Sequence, residues 1–596
     1  MNLAWVVGIT ATVLVLAYRF YGRRVAHWLG EDQSCPTPAL MFKDDKDFVP
    51  TRPSVLFGHH FATIAGAGPI LGPLMAVCYG YGPVWLWIVL GGILFGAVHD
   101  YAALSISLRE NGRSMAEIAR KSLGRLGFVV FILFTIIMLV LVTAAFLNAA
   151  AASLASEYPL EKLGLLPDQT LLKTRLVDGV VMARIGGIAS TSVIVITLAA
   201  PLVGFLIYKK NIDTWLAYLV TGVIAVGSVV IGFYLPVTVD PKLWMVILTA
   251  YVLAASALPV WFVLQPRDFT NVQILYGGIV LLMVGLVAAG LNGERFEQPA
   301  FSLEQIREGN AMAGGIWPML FVLIACGAIS GFHALVSGGT TSKQCWLVKH
   351  ARPIAFGGML LESLLAACVM GCVVWGLSSA EYRNLVYPVV GSANPVLAFA
   401  VSCGRLFQGG LHIPVALGSV FGILMVEGFV VTTLDSAIRL NRYLFEELWA
   451  AILGDRLPKA LRGNTTAAVV LNSGLAAGLM FLMCYLNAFQ KIWPIFGAAN
   501  QLLAALVLLV VSLWLLTRKR QAWFTFLPAV FMTLTTIGAL LALFFTKYLP
   551  DRNISLVVAD GLLVLLAAVM AVMALVALVR RRKGTPEETA AVGGVG

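Results

Sequence analysis

Residues 54 to 73 read Ser54-Val-Leu-Phe-Gly-His-His-Phe-Ala-Thr-Ile-Ala-Gly-Ala-Gly-Pro-Ile-Leu-Gly-Pro73. The stretch is apolar enough to lie in a membrane, yet it cannot run as one smooth helix. Pro69 and Pro73 lack an N–H, and each frees a carbonyl one turn earlier, that of Ala65 in the case of Pro69. Gly66, Gly68 and Gly72 let the backbone leave helical geometry. In hydrocarbon such freed groups need protein, water, an ion or a substrate. The stretch therefore predicts an interrupted helix with a binding site at the interruption, and Phe57, Gly66, Gly68 and Pro69 are candidate substrate-binding residues. A phosphate-binding glycine loop is the rival reading, but no Walker lysine follows and the run is intramembrane.

The rest of the chain agrees with a membrane setting. Of 596 residues 59% are hydrophobic and 12% charged, and mean hydropathy is +0.88; soluble chains carry about 25% charged residues. The net charge of +11 is first explained by loops held on the cytoplasmic side, so nucleic acid is not a partner. Fifteen apolar stretches are long enough to cross the bilayer: 3–20, 54–79, 83–108, 126–154, 187–208, 214–234, 243–264, 272–292, 313–336, 354–378, 412–436, 465–486, 494–517, 522–546 and 555–580. A shorter one, 394–406, contains Arg405 and reads as interfacial or re-entrant. Arg19, Arg23 and Arg24 follow the first run and no charged region precedes it, so it is a retained anchor with an outside N-terminus. The loops that this orientation places inside hold more than two thirds of the 41 Lys and Arg, as the positive-inside rule requires. The longest loops, 21–53, 155–186 and 379–411, leave no room for a soluble domain, and the tail beyond Lys583 is expected to be disordered. The eight cysteines, Cys368 and Cys372 among them, form no disulfide or zinc framework.

A second interruption is expected at Ala254 to Trp261, around Ser256 and Pro259, which join the candidate substrate-binding residues. The two breaks lie five segments apart in helices of opposite orientation, the pattern of secondary transporters built from inverted five-helix halves. The expected fold is an all-α polytopic membrane protein of about 15 transmembrane helices, with an inverted 5+5 repeat core and extra peripheral helices. Its parts are an anchor and loop (1–53), two core halves (54–234 and 235–463), peripheral helices (464–583) and the tail (584–596).

Titratable groups at membrane depth are costly and mark pathways. His59 and His60 lie about 8 to 9 Å inside the second segment, and His99 and Asp100 lie in the third, joined to it by the short turn Gly80-Tyr-Gly82. The turn makes the two segments antiparallel neighbours and predicts that His59 or His60 reaches Asp100, directly or through one water. Glu362, Glu427, Asp435 and His333 fall in the same cytoplasmic half, although Asp435 lies four residues before Arg439 and suits a plain helix ion pair. A carboxylate facing a histidine exchanges a proton near neutral pH. Ser337, Thr340 and Thr341 flank Gly338-Gly339 and could ligate sodium, but Lys343 follows closely and would occupy such a site with fixed charge. The coupling ion is thus expected to be a proton, with Lys343 or Asp100 as the switching group. His59, His60, His99 and Asp100 as zinc or iron ligands are the rival, but no HExxH or Glu-x-x-His motif accompanies them, so no metal, cofactor or catalytic residue is expected.

Arg52-Pro-Ser-Val-Leu-Phe-Gly-His-His-Phe with Ala-Gly-Ala-Gly-Pro-Ile-Leu-Gly-Pro, then Val98-His-Asp-Tyr101, Ser337-Gly-Gly-Thr-Thr-Ser-Lys-Gln344, Thr432-Thr-Leu-Asp-Ser436 with Arg439 and Arg442, and Gly497-Ala-Ala-Asn-Gln501 together resemble the carbon starvation protein A family. The resemblance implies a bacterial inner-membrane importer of pyruvate or small peptides, used when carbon is scarce. It also implies kinship with the amino acid, polyamine and organocation carriers, and so an inverted-repeat core. Independently, the residues read as a cation-coupled carrier in the lipid bilayer for a small carboxylate or peptide, because helix N-termini at a break attract a carboxylate. A metal enzyme and a proton-conducting subunit are the competing classes, and the sequence carries no signal of oligomeric state.

Overall fold

The computed structural model describes residues 2–582 apart from 45–46, 166–168, 170–171, 390–392 and 459–464; the tail expected to be disordered lies outside the described residues. Among the described residues, 13 helices are long and apolar enough to cross a membrane. In chain order the elements used below are α1 (Leu3–Leu29), α2 (Pro53–Ala65), α3 (Gly68–Ala76), α4 (Tyr81–Arg109), α5 (Met115–Leu154), α6 (Gly186–Lys209) and α7 (Thr214–Tyr234). They continue with α8 (Pro241–Ala257), α9 (Leu264–Leu291), α10 (Ile316–Leu323), α11 (Gly331–Val336), α12 (Val348–Gly376) and α13 (Pro395–Leu411). The last are α14 (Val415–Leu453), α15 (Thr466–Leu486), α16 (Phe489–Thr517), α17 (Trp523–Tyr548) and α18 (Ile554–Arg582). The protein is an all-α polytopic membrane protein; a small antiparallel sheet of Tyr158–Pro159, Thr174–Val177 and Val180–Ala183 decorates the α5–α6 connection.

All fifteen apolar stretches return, but two of them are not full-length helices. The stretch 243–264 stops at Ala257, and α8 has 17 residues. Gln265 to Asp268 form the first turn of α9 rather than the end of the preceding segment. Pro266 explains the shift, because the first turn has no intrahelical use for an N–H and accepts proline there. The stretch 313–336 is divided into α10 and α11 by the non-helical residues 324–330, and a π-helical turn, Ser337–Thr341, extends α11 across Gly338-Gly339.

Two groups of helices make the interior. In the first, α5, α8, α14 and α15 each touch the other three; in the second, α2/α3, α4, α10/α11 and α12 pack together. Beside them α9 lies along α2, and α16 lies along α10 and α11. Burial follows: 94% of the most apolar window of residues 53–79 is buried, against 28% for α7. Trp215, Leu219, Val223 and Val226 on α7, with Leu565, Val572 and Leu575 on α18, are exposed, an outward apolar face suited to lipid. The short stretch around Arg405 became α13, which packs on α14 and α12, while Arg405 forks onto the Glu381 carboxylate at 2.7 and 2.8 Å. This pairing holds the Glu381 carboxyl down at about 2.

Candidate functional site

The predicted break in the second segment is present: α2 stops at Ala65, Gly66 turns to φ 48° and ψ −151°, and α3 starts at Gly68. What it meets differs from the expectation. A Cβ placed on Gly68 would lie 2.3 Å from Cys326 Cβ, and one on Gly72 would lie 2.9 Å from the Leu323 carbonyl oxygen. The second interrupted helix is therefore α10/α11, and only glycine on α3 lets the two interruptions touch. Gly66, Gly68 and Pro69 sit at this crossing, whereas the ring of Phe57 stacks on Phe61 two turns earlier. Every residue from Gly58 to Ala76 is buried, as are Leu323 to Leu335, so the crossing is closed to water.

The carbonyls freed in the second break are claimed by two amides on α16. Asn500 Nδ2 donates to the Ala325 carbonyl and Ser330 Oγ, both at 2.9 Å, and Asn500 Oδ1 accepts from the Phe332 N–H at 2.9 Å. Gln501 Nε2 donates to the carbonyls of Phe321 (2.6 Å) and Ile324 (3.0 Å). In the first break, Thr433 Oγ1 donates to the Thr63 carbonyl at 3.1 Å, and His333 Nε2 lies 3.1 Å from that of Ile64.

Two buried polar networks flank the crossing. In one, Asp100 lies between His99 Nδ1 (2.8 Å) and His333 Nδ1 (2.7 Å), and His333 Nε2 is 3.4 Å from Glu362. The expected direct contact of His59 or His60 with Asp100 is not made. His60 Nδ1 instead meets Thr341 Oγ1 at 2.8 Å, and His59 Nδ1 meets Asp268 Oδ2 at 2.8 Å. The set His59, His60, His99 and Asp100 consequently does not converge on one point.

The other network is built on Arg267, whose side chain is 1% exposed. Its Nη1 lies 2.9 Å from Asp435 Oδ2, its Nη2 lies 3.0 Å from Thr432 Oγ1 and 3.5 Å from Asp268 Oδ1, and it also donates to the Tyr251 hydroxyl. Tyr251 in turn donates to Asp435 at 2.9 Å. Asp435 therefore does not pair with Arg439, which donates to the carbonyls of Ala255 and Leu258, while Arg442 donates to that of Ser256 at 2.9 Å. Ser256 and Pro259 thus belong to the capped end of α8, where cations suit the exposed carbonyls, and not to the crossing. Lys343 is also elsewhere: its Nζ rests over the rings of Tyr443 (5.2 Å) and Phe48 (5.5 Å). The three hydroxyls do not converge either, since Thr340 bonds back to the Val336 carbonyl, Thr341 serves His60, and Ser337 finds no hydrogen-bond partner among the described residues. Glu427 is buried and joins neither network.

The family model described as carbon starvation protein CstA matches residues 2–389 and 386–539. The chain belongs to the CstA family. Its relatives include the peptide transporter CstA of Campylobacter jejuni, 31% identical over 88% of this chain and 78% of that protein. The peptide transporter CstA of Bacillus subtilis is 29% identical over 96% of this chain and 95% of its own length. The pyruvate/proton symporter BtsT of Escherichia coli is 30% identical over 91% and 82%. As a CstA family member the protein is a transporter, not an enzyme, of the bacterial inner membrane.

The sequence stretches that resemble CstA are the ones that build the crossing: 52–73 forms the first break, 432–442 supplies its hydroxyls and the α8 caps, and 497–501 supplies the amide caps. Sequence reasoning gave no physical role to Asn500, Gln501, Arg267 or Tyr251. An Asn-Gln pair and a Pro-Arg-Asp triplet inside apolar runs were the available signal, since each is expensive there unless it has a partner.

Proposed function

We propose that this protein imports a small carboxylate such as pyruvate, or a short peptide, with protons, by alternating access at the crossing of α2/α3 and α10/α11. The observation that carries the coupling is Arg267, a permanently charged guanidinium buried among the hydroxyl of Thr432 and the carboxylates of Asp268 and Asp435. A fixed cation there repels sodium and takes the role expected of Lys343. With His59 neutral and both carboxylates ionised, Arg267, Asp268, Asp435 and His59 sum to one negative charge; one proton neutralises them. A buried charge left unpaired is costly, so the network favours carrying one proton through the closed state. The names of the relatives, a pyruvate/proton symporter and peptide transporters, support the substrate and the ion.

The inverted repeat is proposed with new members. Each half begins with an interrupted helix, α2/α3 or α10/α11, followed across a short turn by α4 or α12, then by the long α5 of 40 residues or, beyond the additional α13, the long α14 of 39. The pairs α8 with α15 and α9 with α16 complete the halves, and α9 lies on α2 as α16 lies on α11. The halves become 53–291 and 316–517, with α6 and α7 inserted as a hairpin, instead of 54–234 and 235–463. An outside N-terminus and inside C-terminus make these halves opposite in orientation. Uptake of pyruvate, dipeptides and amino acids into proteoliposomes under an imposed pH gradient, with and without Na⁺, tests the function. Accumulation driven by protons alone is expected; strict sodium dependence with no response to pH would overturn it.

A further inference from the structure

We propose that Cys326, His333 and Glu362 form a binding site for a divalent transition-metal ion of the zinc class. Their ligand atoms lie within 4.8 Å of one another, the one such group of three among the described residues, and all three residues are buried. Cys326 lies in the second break and His333 seven residues later on α11, while Glu362 comes from α12, so the break and its packing against α12 bring the three together. The set differs from the histidines and Asp100 considered from sequence, and it departs from the expectation that no metal binds.

The surroundings are those of a cation site. His333 meets oxygen on both nitrogens: Nδ1 is 2.7 Å from Asp100, while Nε2 is 3.1 Å from the Ile64 carbonyl and 3.4 Å from Glu362. A neutral imidazole has one N–H for these two sides. With that hydrogen directed at Asp100, the lone pair of Nε2 points into a cluster of oxygen and sulfur, which is the carboxylate–histidine–metal arrangement. Both oxygens of Glu362 are buried without a hydrogen bond among the described residues. The Cys326 thiol donates to Ser330 Oγ at 3.6 Å and lies 3.7 Å from the Asn500 amide nitrogen, so polar neighbours orient the sulfur. Thiolate, imidazole and carboxylate in a tetrahedral site suit zinc, with the Ile64 carbonyl or an exchangeable ligand in the fourth position. Gly68 supplies the room, because a Cβ there would lie 2.4 Å from the Cys326 sulfur.

The test needs no transport assay and so stands apart from the function proposed above. Full-length protein in detergent is stripped with chelator, titrated with Co²⁺, and separately equilibrated with Zn²⁺ and desalted for elemental analysis. About one equivalent of zinc and a cobalt–thiolate charge-transfer band are expected. Cys326→Ser should abolish the band, Glu362→Gln should weaken binding at least as much as Asp100→Asn, expected at about 10–100-fold, and Cys484→Ser should change nothing. Absence of retained zinc in the wild-type protein, or a bound cobalt without a thiolate band, would overturn the proposal. Both of those readouts come from the wild type and hold even if a variant fails to fold.

Discussion

Gly66 adopts φ 48°, and a Cβ added to it would lie 2.8 Å from the Phe146 ring and 3.1 Å from Thr433 Oγ1. Gly66→Ala is therefore expected to cost about 1–3 kcal/mol for the positive-φ backbone alone, with the clash added, and to lower the melting temperature and abolish uptake. Unchanged melting would mean that the turn is not held as described. Asp435→Asn removes an acceptor from Arg267 and Tyr251 and takes one titratable group from the network. Proton-driven accumulation should be lost in that variant while counterflow exchange of substrate across the membrane is retained; undiminished accumulation would place the coupling proton elsewhere. At this scale the glycine and proline run was legible in sequence because backbone freedom is a local property. The pairing of His59 with Asp268 was not, since it spans 209 residues and depends on how two helices are rotated, which depth along a segment does not reveal.

The interrupted helices show what segment-level reading captures. Proline and small residues foretold an interruption between Ala254 and Pro259, but not that the helix would end there, at Ala257, with Arg439 and Arg442 on α14 capping it away from the site. The more consequential break, 324–330, contains no proline; it exists because Asn500 and Gln501 take over its carbonyls, and tertiary partners of that kind leave no local mark. Asn500→Ala strands the Ala325 carbonyl and the Phe332 N–H, each a loss of about 1–3 kcal/mol, and should depress the melting temperature more than Ser330→Ala does. Equal effects would assign the break's stability to the hydroxyl. Outside the membrane, the Arg405 fork on Glu381 makes a pH prediction. Because the carboxyl is lowered from 4.5 to about 2, the pair's contribution is complete above the ordinary value and disappears as pH falls toward 2. Protease resistance of the 379–389 segment should accordingly be the same at pH 7 and pH 5, and Arg405→Gln should reduce it at both.

The number of apolar stretches and the alternation of charge were readable over the whole chain, because hydropathy and the positive-inside bias need no knowledge of packing. The repeat proposed above rests instead on packing, because setting α6 and α7 aside as an inserted hairpin shifts every count made along the sequence. Orientation has a direct test in the native chain: Cys35, after α1, is the exposed cysteine, and the others described are buried. The Asp32 side chain raises its thiol, so labelling belongs above neutral pH. An impermeant maleimide should label Cys35 in inside-out vesicles and spare it in intact spheroplasts; labelling of spheroplasts would reverse the topology. The amide caps on the second break carry one more consequence. Since Asn500 and Gln501 satisfy its backbone from within the protein, the closed crossing does not need cargo to be stable. On the cycle proposed above, a substrate-free return leg is then expected, and net uptake with it, where a break sealed only by its substrate would be confined to one-for-one exchange.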